Sequence, residues 1–316
     1  MSPSEYRQQL EAQIQIQREQ KRAAVGALEN ALAASDDEIG ELRNIAIDET
    51  QPLELRCAAL GQMVRTGDDD TRPVELILSL LKEDRHPPQL RETAMHALKL
   101  ALFISPAVRD YHGEMVQALR GLLDDTKVSG GLRTEALEIL AKEKDPHVQL
   151  RLMESLRARD GKLAPLEMII QFLGYDIHTD AYPLLRKILE NPPNSEAASA
   201  SARLLSNDPG STETLAKSFE SSKLADNVRA DCARALQSLD PSRFEILAKK
   251  VVTDVNQSDS LRTATATFLK RLAGPGSLSG DREFVQKLKA CLDCTPEGEL
   301  GGALRKLNLR VVGPYE

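Results

Sequence analysis

Apolar positions recur along this chain at helical spacing, and one short phrase carries them repeatedly. In PQLRETAMHALK they are Leu90, Ala94, Ala97 and Leu98; GLRTEALEIL matches them with Leu132, Ala136, Ile139 and Leu140, and NVRADCARAL with Val228, Cys232, Ala235 and Leu236. Steps of three and four place each set on one face of a helix. LELRCAALGQM from Leu53 and SLRTATATFL from Ser260 repeat the phrase. Between these motif helices runs a second amphipathic series, which includes VELILSLLKED from Val74, VQLRLMESLRA from Val148, AYPLLRKILEN from Ala181 and RFEILAKKVVTD from Arg243. The pattern predicts a unit of helix, short turn and helix, with no strand. Asp145-Pro146, Asp240-Pro241 and Thr295-Pro296 offer a capping side chain followed by a first-turn proline.

Taking the residue before each motif arginine as an anchor gives Leu55, Leu90, Leu132, Val228 and Leu261, at intervals of 35, 42, 96 and 33. The long interval divides at Pro165 (PLEMIIQFL) and Ala197 (AASASARLL), which keep the apolar register without the arginine, so that anchors 132, 165, 197, 228 and 261 lie 33, 32, 31 and 33 residues apart. A fixed period of this size is the signature of a repeat array. The 42-residue interval contains ISPAVRDYHG, where an extra turn would display Tyr111 and His112.

The recurring phrase resembles the HEAT repeat, in the short HEAT-like version whose second helix reads [VL]-R-x-x-A-x-x-A-L. The resemblance runs from about Glu38 to Arg310. It implies an all-α fold, a right-handed α-α superhelix (α-solenoid) of about seven to eight helix pairs, with the array over 35–316 closed by a C-terminal capping helix through Leu300, Leu304 and Leu307. Residues 1–34 are set apart as a long helix that caps the array or extends from it: Ser2-Pro3-Ser4-Glu5 starts it, Tyr6, Leu10 and Ile14 form one apolar edge, and Val25, Leu28 and Leu32 form another. A second capping box, Ser35-Asp36-Asp37-Glu38, restarts the chain. In the family an Asp of the inter-helix turn often pairs with the motif arginine, which would join Asp84 to Arg91, Asp125 to Arg133, Asp226 to Arg229 and Asp259 to Arg262. Arg56, Arg91, Arg133, Arg229 and Arg262 are accordingly read as structural ties from one repeat to the next rather than as a phosphate-binding comb.

A HEAT-like array usually lines its concave face with the second helices. The sixth residue after each anchor would then contribute Gly61, His96, Glu138, Gln171, Arg203, Arg234 and Thr267, a row varied in chemistry where a packing row would be uniform. His96, Glu138, Gln171, Arg203, Arg234 and nearby Lys270 are the partner-binding candidates, with Arg203, Arg234 and Lys270 read as a basic segment following an acidic one at Glu92 and Glu138.

Candidate chemistry changes this picture little. The net charge of -7 repels nucleic acid and anionic membranes on average, and aromatic residues make up only 3% with no Trp. Cys57, Cys232, Cys291 and Cys294 are too few for a disulfide framework, and Cys232 fills a small-residue packing slot. Cys291 and Cys294 form a lone CxxC with no histidine to complete a zinc site, while His86, His96, His112, His147 and His178 are dispersed. The glycines of KVSGG (127–131) and GPGSLSG (274–280) are assigned to turns, and no segment has the length and apolarity of a bilayer span. The expectation is a cytoplasmic, noncatalytic scaffold or adaptor that binds another protein along its curved face. The same reading expects no cofactor, no metal and no membrane insertion, and disfavours nucleic acid. The alternatives are a HEAT-like chromophore lyase, a DNA-repair glycosylase of this architecture, and nucleic-acid binding along the basic segment.

Overall fold

The computed structural model describes residues 15, 18–20, 22–28, 37–64, 70–176, 179–274, 276, 278, 280–295 and 297–312. All regular structure among them is helical. The chain divides into two compact units, one ending at Asp145 and the other beginning at Pro146. In the first unit the helices are α1 (Glu38–Ile47), α2 (Leu53–Gln62), α3 (Arg72–Lys82), α4 (Pro88–Ile104), α5 (His112–Asp124) and α6 (Gly130–Lys142). In the second they are α7 (Pro146–Ala158), α8 (Leu166–Leu173), α9 (Tyr182–Glu190), α10 (Ser195–Leu205), α11 (Thr212–Glu220), α12 (Asp226–Leu239), α13 (Pro241–Thr253), α14 (Asp259–Leu272), α15 (Arg282–Cys294) and α16 (Gly298–Val312).

Consecutive helices pack as pairs. Within each unit, first helices also touch first helices and second helices touch second helices: α1–α3–α5 and α2–α4 in the first unit, and α9–α11–α13–α15 and α8–α10–α12–α14–α16 in the second. A second helix is therefore covered by its own partner and by neighbours on both sides, which demands a wide apolar face. The fourth residue after each anchor is buried in every copy: Ala59, Ala94, Ala136, Ile169, Ser201, Cys232 and Thr265. So is the eighth, from Met63 through Leu98, Leu140, Leu173, Leu205 and Leu236 to Leu269. A third row, absent from the sequence reading, lies five after the anchor: Leu60, Met95, Leu137, Ile170, Ala202, Ala233 and Ala266 are all buried.

The motif arginines follow one rule. Arg56 Nε donates to the Ala46 carbonyl at 3.0 Å, Arg133 Nε to Leu123 at 3.2 Å, Arg229 Nε to Phe219 at 2.9 Å and Arg262 Nε to Val252 at 3.1 Å, while Arg91 reaches Leu81 through Nη2 at 3.1 Å. The acceptor is always ten residues back, on the penultimate residue of the preceding helix. Carbonyls of a last helical turn lack intrahelical partners, so each guanidinium satisfies an orphan acceptor and adds a positive charge at the negative end of the helix. The turns make this reach possible, because each spans five residues: 48–52, 83–87, 125–129, 221–225 and 254–258. Each closes on an extended residue with φ between −54° and −63° and ψ between 139° and 150°, whether that residue is Pro52, Pro87, Ser129, Ala225 or Ser258.

One expectation is corrected here and a second holds only in part. The arginines tie the two helices of one pair together rather than one repeat to the next. The turn aspartates mainly serve the turn: Asp48, Asp125 and Asp254 each accept the N–H two residues on, at 2.9, 2.8 and 3.0 Å. Hydrogen bonds led by the Thr50 hydroxyl hold the Asp48 carboxyl below its ordinary range, and those led by the Gln257 amide do the same for Asp254. Asp226 and Asp259 do pair with Arg229 and Arg262, as expected, in ion pairs of 3.7 and 3.8 Å without a hydrogen bond, whereas Asp84 makes no ion pair among the described residues. Ties between pairs use other charges. In the second unit Arg186 of α9 bonds Asp208, Arg243 of α13 reaches Glu213 of α11 at 2.6 Å, and Lys249 of α13 reaches Asp281 at 2.8 Å; in the first unit Arg120 of α5 grips buried Asp145, just beyond the end of α6, with a 2.6 Å contact.

Asp240 caps α13 through the Arg243 N–H at 2.9 Å, as expected. Ser35 and Asp36 lie outside the described residues; the cap of α1 is Asp37, which accepts from Gly40 N at 3.0 Å. Thr295 ends α15 instead of starting a helix, Pro296 lies outside the described residues, and α16 begins at Gly298. Gly130 and Gly131 open α6 rather than forming a turn, because Ser129 accepts Leu132 N there. Of the expected helix 1–34, Tyr6, Leu10, Ile14 and Leu32 are outside the described residues, as is the Ser2-Pro3-Ser4-Glu5 start. Leu28 is buried with Ala24, whereas Val25 is exposed. Leu300, Leu304, Leu307 and Val311 of α16 are buried, and that helix packs on α14 and α15. After α4 a short 3-10 turn, Pro106–Arg109, absorbs part of the longer interval; Tyr111 beyond it donates its hydroxyl to Glu75 at 2.5 Å.

Candidate functional site

A trough of about 670 Å³ lies in the second unit between α8, α10 and α12. It originates in the composition of α10, SEAASASARLL, where Ala197, Ala198, Ser199, Ala200, Ser201 and Ala202 are all buried. Small side chains let neighbouring helices approach but leave the outer edge of the helix low. Asn194 fixes the start of α10 by accepting the Ala197 N–H at 2.7 Å, which aims Glu196 and Arg203 along the trough. Ile170, Ala200 and Leu204 supply apolar lining, and α12 closes the far side with Asn227 and Asp231.

The electrostatics run against the sequence reading at this point. Glu167, Glu196 and Asp231 line the trough beside a single guanidinium, that of Arg203, so the expected basic segment is acidic here. Arg203 donates Nε to the Ser199 carbonyl at 3.2 Å and stands 3.7 Å from Asp231, an ion pair without a hydrogen bond. Asn227 donates to Ser199 Oγ at 3.4 Å across the helix boundary.

Gln171 and Arg203 of the expected row meet in this trough. Arg234 and Thr267 line a second one of about 620 Å³ bordered by α12, α14 and the start of α16, where Arg234 lies over the Phe268 ring at 5.1 Å from its centroid. Arg234 and Arg271 there face Asp259, Glu297 and Glu299, so this trough is not basic either. Lys270 is half-buried on α14, outside both linings. In the first unit His96 is exposed on α4, Gly61 is exposed on α2, and Glu138 is half-buried on α6 with its carboxylate on Lys142 at 2.6 Å. The row is thus at the surface throughout, as its position on the second helices requires. The motif arginines are elsewhere: Arg56, Arg91, Arg229 and Arg262 are buried, and burial lowers the pKa of Arg229.

Glu167, Ser199 and Asp231 escaped the sequence reading. They stand two or three residues after their anchors, and a side chain four before the sixth position shares its face of the helix. Extending the row by that rule from Gln171 and Arg203 finds Glu167 and Ser199, and a three-residue step from Arg234 finds Asp231.

The cysteines do not converge. Cys57 is half-buried, Cys232 and Cys291 are buried and Cys294 is exposed, all as free thiols. Burial pushes the Cys232 thiol up to about 12, which removes it as a nucleophile. His112 faces Glu143 at 3.2 Å, His147 is exposed in the first turn of α7, and His178 lies outside the described residues. Among the described residues no group of three His, Cys, Asp or Glu side chains is placed to hold a metal, and no helix is long and apolar enough to cross a membrane. No family model matches the chain, and no curated protein matches it.

Proposed function

We propose that the protein is a noncatalytic interaction scaffold of the HEAT-like α-solenoid kind that holds another protein along the surface of its second helices. The observation that supports this reading is a division of labour within one helix. Positions four, five and eight after each anchor are buried in every copy, and the arginine bonds are uniform wherever an arginine stands. The sixth position is exposed or half-buried and changes from Gly61 to His96, Glu138, Gln171, Arg203, Arg234 and Thr267. Packing dictates the first set and is indifferent to the second. A rigid, varied surface binds without the entropy cost of ordering itself.

The test is affinity capture from native extract with the full chain, a chain lacking residues 1–34, and the double substitution Glu167→Lys with Glu196→Lys. A protein retained by the full chain and by the truncated one, but lost with the double substitution, is the expected result. Capture indifferent to the trough, or a nucleic acid or pigment retained in place of protein, overturns the reading.

A further inference from the structure

We propose that the trough between α8, α10 and α12 seats an extended, basic segment of a partner protein, with a lysine or arginine side chain lying among Glu167, Glu196 and Asp231. The inference rests on the interaction-scaffold reading and specifies the chemistry of its ligand. Three observations carry it.

The first is charge. Three carboxylates and one guanidinium line the space, and among the described residues neither Glu167 nor Glu196 has an ion-pair partner. Asp231 is pulled into the wall with its side chain 17% exposed, yet its nearest cation, Arg203, stays at 3.7 Å. That separation leaves the carboxylate oxygens with acceptor capacity for an incoming cation.

The second is shape. Glu196, Gln171, Arg203 and Asn227 are exposed around a space of about 670 Å³, so the trough is open along its rim. Small-ligand sites enclose most of their ligand. A chain crossing an open trough gains contact by length instead, and the side-chain amides of Gln171 and Asn227 each offer a donor and an acceptor to a passing backbone.

The third is the fixed position of Arg203. Its Nε is held by the Ser199 carbonyl one turn back, which keeps the guanidinium to one side of the carboxylates and gives the trough a polarity along α10. An acidic residue of the segment fits beside Arg203 and a basic one beside Glu196, toward the start of the helix.

The experiment is fluorescence anisotropy at about 0.15 M ionic strength with a short labelled peptide of alternating lysine and alanine, and with its glutamate counterpart. Because the whole chain carries a net charge of -7, the control must change charge equally elsewhere: Glu220→Gln with Asp293→Asn, both exposed and outside both troughs, against Glu167→Gln with Glu196→Gln. Thermal melts verify that both variants fold. The expected result is lysine-peptide binding by the parent chain, weakened about tenfold by the trough pair and unchanged by the control pair, with no binding of the glutamate peptide. Equal weakening by both pairs overturns the inference, since general acidity then suffices. Displacement of the peptide by an equal charge of free spermidine overturns the assignment to a protein segment. If the lysine peptide does not bind at all, the basic segment is wrong; a partner captured from extract and lost with Glu167→Lys/Glu196→Lys still keeps the trough as a protein site of other chemistry.

Discussion

The pair α11/α12 and the pairs α7/α8 and α9/α10 lie in the same unit, yet they join their helices differently. Between α11 and α12 a five-residue turn brings Arg229 onto the Phe219 carbonyl, and the pair is fixed by a buried cation. Between α7 and α8 the turn has seven residues, 159–165, and between α9 and α10 it has four, 191–194. Leu166 and Ala198 occupy the arginine slot in those pairs. The end of α7 is closed by its own backbone, with Arg159 in the left-handed region at φ 53° and Gly161 at φ 65°. Turn length and arginine therefore form one device, and both are absent together. The trough opens over these two exceptional pairs, where small residues have replaced the uniform packing of the motif. Departures from a local rule are where a repeat protein has room for function.

The largest expected effect comes from removing the device where it exists. Arg229→Ala should destabilise the second unit by about 3 kcal/mol and Arg229→Met by about 2 kcal/mol, measured by urea unfolding. The methionine restores stem packing but leaves the Phe219 carbonyl without its donor. If both substitutions cost less than about 0.5 kcal/mol, the carbonyl bond is not what holds the pair.

A smaller effect should follow from changing turn length alone. One glycine inserted after Lys223 breaks the ten-residue spacing and should cost about 1 to 2 kcal/mol. The same insertion after Lys162 lengthens a turn with no arginine register and should cost about 0.5 kcal/mol or less. Equal costs for the two insertions would erase the distinction between the two kinds of pair.

The smallest effect has the opposite sign. Arg159→Gly relieves a non-glycine residue of its left-handed conformation and should stabilise by about 0.5 to 1 kcal/mol. An unchanged melting midpoint would mean that the Arg159 side chain repays the strain through contacts of its own.

The positions four and eight after each anchor could be read from the chain because a helix face has a fixed period, and Ala94, Ala136 and Cys232 recur there in register with Leu98, Leu140 and Leu236. The row five after the anchor could not, because Ala202, Ala233 and Ala266 carry no hydrophobic signal strong enough to separate a buried alanine from a surface one. The candidate row was legible as exposed and varied, and two of its members, Gln171 and Arg203, share a trough. Its charge was misread. Arginines are conspicuous when counted along one row, whereas Glu167 and Asp231 enter from neighbouring helices at other offsets.

The sequence by itself determined the helices, their pairing period and the invariant inner face, since these follow from spacings of three and four within a single helix and from turns a few residues long. Tertiary structure alone decided that the motif arginines cap the preceding helix within their own pair, that Asp208 and Asp281 take the cations linking first helices of the second unit, and that the trough beside Arg203 is acidic. The physical reason is range. Helix periodicity is local and is written in consecutive residues, but a carbonyl ten positions back or a carboxylate thirty positions away becomes a partner only when packing brings the two helices together.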